Sequence, residues 1–233
     1  MNKVFIPASI VVSGLIIAGA IYFTQNSQPT KSAGGDNLEI KVAPIDANDH
    51  IIGNPDAEII IVEYSDFECP FCKSFHSTMN QIMEEYGPTG QVAWVYRHFP
   101  LSFHKRAIPA AEASECVAKL GGNEKFWEYT NLLYENTPES LSEENLLQSA
   151  LAIGLIESEF KACIASDYPK QIVQKHIDDG MAIAQADKQF GTPYNILISK
   201  SGVQIPIRGA QPLSVVKGAI NSILTGAQQA QGE

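Results

Sequence analysis

Apolar and polar positions along the chain change period several times. In residues 58–64 the run Ile59-Ile60-Ile61-Val62 is short, continuous and β-branched, which predicts a buried strand. Directly after it, Phe71, Phe75, Met79, Ile82, Met83 and Tyr86 recur at helical spacing. Residues 91–97 read as strand again, entered from the turn residues Gly87-Pro88-Thr89-Gly90. Strand, helix, strand with so long a connection predicts a parallel β-α-β unit. Residues 37–42 alternate and predict an edge strand. Helical patterns then fill 108–120, 124–134, 143–153 (behind Ser142 as an N-cap), 156–164 and 169–190, where Pro169 suits a first turn. Strands return at 195–199 and 203–207 around Lys200-Ser201-Gly202, a hairpin whose Pro206 argues for an edge, and a helix over 213–224 closes the chain.

The first 23 residues have a different pattern. Lys3 is their single charged side chain, and a mainly apolar run of about twenty residues follows, long enough to cross a bilayer core. With no further positive residue until Lys31, the charge bias favours the N-terminus inside. The run exceeds the apolar core of a cleavable signal, which favours an uncleaved anchor at residues 4–23. Ala18-Gly19-Ala20 nevertheless resembles a cleavage site, so a cleaved, secreted form stays open. Residues 24–36 are polar and aperiodic, a flexible linker spanning roughly 20 Å.

Composition narrows the classes. At 233 residues with four cysteines, the chain can bury a core without a disulfide framework. A formal charge of -10 leaves no basic footprint for nucleic acid. Export puts the cysteines in an oxidising compartment, where a disulfide persists.

The chemistry concentrates where the first strand hands over to the helix. Cys69-Pro70-Phe71-Cys72 places Cys69 at a helix N-terminus, where unpaired amides and the macrodipole favour a thiolate. The three-residue step brings Cys72 within disulfide reach, so the two form a redox couple. Cys69, Cys72 and His76 lack a fourth ligand for zinc, and no metal is assigned. His98 and His104 read as loop residues, His176 as a core histidine, and Phe126, Trp127 and Tyr129 as core.

These residues carry a resemblance. The segments Val62-Glu63-Tyr64-Ser65-Asp66-Phe67-Glu68-Cys69-Pro70-Phe71-Cys72, Tyr96-Arg97-His98-Phe99-Pro100-Leu101, Lys125-Phe126-Trp127-Glu128-Tyr129, Gly191-Thr192-Pro193 and Gly209-Ala210-Gln211-Pro212, in this order, resemble the DsbA-like thiol:disulfide oxidoreductase family. The resemblance implies an α/β, thioredoxin-like fold with an inserted all-helical domain, here preceded by the N-terminal transmembrane segment. The expected organisation is 1–23 anchor or signal, 24–36 linker, 37–104 and 190–226 the two parts of the thioredoxin-like domain, 105–189 the helical insertion and 227–233 a disordered tail.

The resemblance also implies roles. Cys69 would be the exposed nucleophile and Cys72 the buried resolving thiol. Glu63, a desolvated carboxyl inside the strand, would pass protons to and from Cys72. Pro193 would be a cis-proline facing the cysteines, with Pro70, Phe71, Thr192 and Pro193 against the substrate. Cys116 and Cys163 would form a second, structural disulfide, worth roughly 4 kcal/mol on the chain-entropy account, two buried free thiols being the alternative. The implied activity is disulfide donation to unfolded exported proteins, without cofactor, by a monomer. A membrane-bound, quinone-linked thiol oxidase would restore the pair.

One departure bears on direction. Phe71 stands where the strongest oxidants of the family carry histidine, and Asp66 and Glu68 oppose a thiolate at Cys69. A tethered reductase or isomerase, or a non-catalytic chaperone module on the same scaffold, remains an alternative.

Overall fold

A computed structural model describes residues 40–231, with side chains to 226; the expected anchor and the linker, residues 1–23 and 24–36, lie outside the described residues. The elements run β1 (His50–Gly53), β2 (Ile59–Ser65), α1 (Pro70–Tyr86), β3 (Val92–His98), α2 (Ala107–Glu135), a 3-10 turn (Glu139–Leu141), α3 (Glu143–Ala152), α4 (Glu157–Ile164), α5 (Tyr168–Ala186), β4 (Tyr194–Ser199), β5 (Gln204–Arg208) and α6 (Leu213–Gln231). The sheet order is β1-β3-β2-β4-β5. β2 and β3 pair in parallel, and the other neighbours are antiparallel. The fold is thioredoxin-like, with α2 to α5 inserted between β3 and β4.

The central strand β2 is apolar on both faces because both faces are covered. Alternation sends Ile59 and Ile61 into the larger core with α1, α6 and Trp94, and sends Val62 and Tyr64 into a second core with Phe99, Ile183 and Ile196. α5 thus does more than belong to the helical block, since its Ile183 closes the second face of the sheet. Gly180 of α5 is required there, because a Cβ would lie 2.4 Å from the Phe99 ring.

One expectation changes. Residues 40–42, the described part of the stretch expected as an edge strand, form no strand; the edge is β1, paired with β3 from His50↔Tyr96 to Gly53↔Ala93. The Asp46 to Asp49 turn, closed by Asp46 N–H donating to Asp49 Oδ2 at 2.8 Å, delivers the chain to that edge. The expected helices 108–120 and 124–134 are both present, as two helical stretches of α2 that meet in a kink at Gly122, whose φ of 81° suits a residue without Cβ. Pro206 does sit on an edge strand, and Ser142 does cap α3, its side chain accepting from Asn145 N–H.

Candidate active site

Cys69 is the N-cap of α1, with extended φ and ψ of -77° and 120°, and Pro70 opens the first turn, where its missing N–H costs nothing. A strand ending at Ser65 and a helix beginning at Pro70 leave four residues to turn. Asp66 organises them: its own Oδ1 accepts from Glu68 N–H at 2.7 Å, and Oδ2 accepts from Leu101 N–H at 2.8 Å. His104 Nδ1 meets the same Oδ2 at 2.8 Å. Glu68 in turn accepts from Arg106 N–H at 2.7 Å and from Arg106 Nε at 3.3 Å. The two acids expected to oppose the Cys69 thiolate are therefore engaged by the segment after β3.

The cysteines are free thiols set apart by their surroundings. Cys69 is pushed down from its ordinary 9.0 to about 6, first because the Cys72 thiol donates to it, and also by the Cys72 and Phe71 amides at the helix start; burial opposes the shift. Thr192 Oγ1 has no partner while Cys69 is a thiol, and it favours the anion. Cys72 is pushed well above its ordinary value, first by burial, then by the charges of Cys69 and Glu63. At neutral pH the pair is a Cys69 thiolate beside a Cys72 thiol.

Cys69 is not the exposed atom the resemblance implied. It is only 3% accessible, because the Thr192–Pro193 segment lies over it, with Cys69 Sγ 3.5 Å from the Thr192 carbonyl oxygen. The Thr192-Pro193 peptide is cis and Pro193 is buried, whereas Phe71 is 65% exposed beside the pair. A second large apolar side chain, Phe103, is 71% exposed and rests edge-on against His104. Pro70 is exposed and Thr192 half-buried.

Glu63 is fully buried on the α1 face of β2, where Trp94 Nε1 donates to its Oε2 at 2.9 Å. Burial raises its carboxyl to about 7, with Ser65 and Trp94 drawing it partly back. A group that holds or releases a proton near neutrality thus lies close enough to Cys72 for its charge to be felt. The structure joins the other two cysteines: Cys116 of α2 and Cys163 of α4 are 2.02 Å apart at sulfur, with Cα atoms 5.7 Å apart.

Several expected and unexpected residues gather around this centre. His98 is no loop residue: it ends β3, is buried, and its Nε2 lies 2.8 Å from Glu115 Oε1, as does His50 Nε2. Glu115 therefore ties β1, β3 and α2 together. His76 turns to Asn131, with Nε2 2.6 Å from Oδ1, and its ring lies against Trp94 and Tyr134. Among the described residues the group placed to hold a metal is His50, His98 and Glu115, away from Cys69, Cys72 and His76. His176, Phe126, Trp127 and Tyr129 are buried in the core as expected. Ser65, Trp94, Tyr96 and Tyr134 were not expected near the thiols. Ser65 and Trp94 were open to inference from strand alternation and pairing; Tyr134 comes from the far end of α2 and carries no local signal.

The chain matches the thioredoxin family over residues 46–194. It is 40% identical over 113 residues to the Na(+)/H(+) antiporter NhaA 1 of Mycolicibacterium gilvum, a stretch of 48% of this chain but 17% of that protein. It is 29% identical over 153 residues, 64% of this chain and 56% of the other, to a candidate protein-disulfide oxidoreductase of Rickettsia bellii. The chain thus spans a minor part of the antiporter and little over half of the oxidoreductase. Among the described residues no helix is long and apolar enough to cross a membrane. The crystal structure of Wolbachia pipientis alpha-DsbA1 superposes with a TM-score of 0.65 at 26% identity, over 81% of this chain and 96% of that one. With a C-x-x-C pair at the N-cap of α1, a cis-proline against it and helices inserted between β3 and β4, the chain belongs to the thioredoxin family, and its fold is similar to that of the DsbA structure.

Proposed function

We propose that this protein is an extracytoplasmic thiol:disulfide oxidoreductase that introduces disulfides into exported proteins at Cys69-Pro70-Phe71-Cys72. The observation that carries the reading is the opposed tuning of the two thiols: Cys69 is held as thiolate and Cys72 as thiol. A stabilised thiolate favours the reduced form, so the oxidised form tends to pass its disulfide on. The helix start and the Cys72 thiol supply this without a histidine between the cysteines, and Asp66 and Glu68 are engaged elsewhere. In the cycle a substrate thiolate attacks Cys69 Sγ, and the Cys69–Cys72 bond breaks with its electron pair on Cys72. A second substrate thiolate attacks the substrate sulfur of the mixed disulfide and releases Cys69.

Phe71, Pro70, Thr192 and Pro193 offer the surface for an extended, unfolded substrate, Thr192 through its backbone. Cys116–Cys163 serves as a structural staple of the helical block. Residues 4–23 would hold the domain at the outer side of the cytoplasmic membrane. A membrane-bound, quinone-linked thiol oxidase would reoxidise the monomer. The reading agrees with the DsbA-like relatives and with the apolar N-terminal run.

Equilibration of the protein in glutathione buffers tests the direction. A reduction potential toward about -120 mV supports donation, and one near about -270 mV would make the protein a tethered reductase. Cys69→Ser separates enzyme from chaperone module: loss of all activity supports the enzyme, whereas chain-holding preserved without thiol dependence supports the module.

A further inference from the structure

The buried acid and the buried thiol share a third group. Ser65 follows Glu63 by two along β2, so both side chains leave the same face of the sheet. Ser65 Oγ lies 3.0 Å from Tyr134 OH, and Tyr134 OH lies 2.8 Å from Tyr96 OH. All three are buried, which makes a dry chain of hydroxyls reaching from β3 through the end of α2 to β2.

Each hydroxyl has one proton to place. If Ser65 donated to Tyr134, Glu63 Oε1, which is buried and unpartnered, would stay unserved at a cost of about 1–3 kcal/mol. If Tyr96 donates to Tyr134 and Tyr134 to Ser65, the Ser65 proton is free to face Glu63 and Cys72. Both groups feel that hydroxyl, which favours the charged form of each. The negative charges of Glu63 and Cys72 oppose each other, so one charge at a time is held between them.

We propose that Ser65 is the positioning residue for proton exchange between Glu63 and Cys72, its hydroxyl held toward them by Tyr134 of the inserted block and turning to whichever carries the charge. This rests on the thiol-exchange activity proposed above. When the Cys69–Cys72 bond opens, Cys72 leaves as thiolate with the electron pair, and Ser65 O–H donates to it. The carboxyl proton of Glu63 then moves to Cys72 Sγ, Glu63 becomes carboxylate, and Ser65 turns its donor to Glu63. On reoxidation Cys72 returns the proton to Glu63 as it re-enters the disulfide.

The other titratable groups facing this pair are Cys69 from α1, Tyr96 from β3, Tyr134 from α2 and, beyond Trp94 and Tyr134, His76 from α1. Burial holds both tyrosines well above their usual range and His76 down at about 4, so between pH 5 and 9 the protons that move belong to Cys69 and Glu63.

The test is the pH profile of disulfide opening by a small thiol, corrected for its thiolate fraction, in the full chain and in Ser65→Ala, Ser65→Thr and Tyr134→Phe. Ser65→Ala and Tyr134→Phe should slow opening by about ten-fold or more, as expected for losing a hydrogen bond to a charged group. They should also move the Glu63-dependent midpoint above its wild-type value, because the donor that favoured the carboxylate is gone. The Cys69 midpoint, read by thiolate absorbance, should stay near 6, and Ser65→Thr should keep the wild-type profile. Slowing with an unmoved Glu63 midpoint overturns the proposal, as does a wild-type profile in both variants. Tyr134→Phe, which removes only one oxygen, decides the matter if Ser65→Ala fails to fold. A wild type without exchange activity would instead refute the function itself.

Discussion

The molecule holds two cysteine pairs made from the same atoms and put to opposite uses. Cys69 and Cys72 are three residues apart, free, and set at a helix start beside a buried carboxyl and a cis-proline. Cys116 and Cys163 are 47 residues apart, joined, and enclosed among the apolar side chains of the helical block. Helix start, hydrogen bonds and an acid converge on the first pair, whereas the second is a closed bond. Reactivity at sulfur is a property of the site, and the sequence separation of a pair decides what its bond does for the fold.

The contrast breaks most completely by substitution at the nucleophile. Cys69→Ser should abolish thiol exchange, read by insulin reduction and by oxidation of a dithiol peptide, while Cys116→Ala/Cys163→Ala retains it. That double variant should instead lose roughly 4 kcal/mol of stability, read by urea titration. Loss of exchange with stability unchanged would reverse the roles assigned to the two pairs.

Glu63 offers the next largest effect. Its folded carboxyl ionises near 7 against 4.5 when unfolded. Its contribution to stability is therefore complete below pH 4.5 and is lost as pH rises through 7. Glu63→Gln should match the wild type near pH 4 and exceed it by about 3 kcal/mol at pH 8, while slowing disulfide opening. Equal unfolding midpoints at pH 8 would show the carboxyl to be solvated.

A finer test of the thiolate is the pH slope of the reduction potential. Cys69 is depressed to about 6, so its contribution to the reduced fold is present at high pH and is lost as pH falls through that value. The slope should change near pH 6 from about 59 to about 30 mV per pH unit, as two protons taken up per two electrons become one. A single slope from pH 4 to 8 would place the nucleophile's ionisation elsewhere. The smallest effect belongs to Arg106, which is partly exposed in its pair with Glu68. Arg106→Ala should raise the Cys69 midpoint by a few tenths, as expected for a screened surface pair.

Much of this was legible because it is local. β2, α1 and the C-x-x-C at their junction lie in one continuous stretch, where hydrophobic period and helix-start chemistry speak directly. The misplaced edge strand was a failure of length: β1 is four residues, His-Ile-Ile-Gly, too short for a period to show. His98 misled for a related reason, since adjacency to Phe99-Pro100 suggested a loop, while its partner Glu115 lies 17 residues on and its environment comes from three elements.

Cysteine spacing, the strand-to-helix switch and the apolar period of β2 follow from neighbours in the chain, and the amino-acid sequence by itself determined them. Tertiary structure alone decided how deeply Cys69 lies under Thr192, how Asp66 and Glu68 are occupied by His104 and Arg106, and that Tyr134 reaches Ser65 across 69 residues. The physical reason is range. Secondary structure is set by dihedral and period preferences over a few residues, whereas desolvation and charge depend on whichever groups the fold brings within a few ångströms.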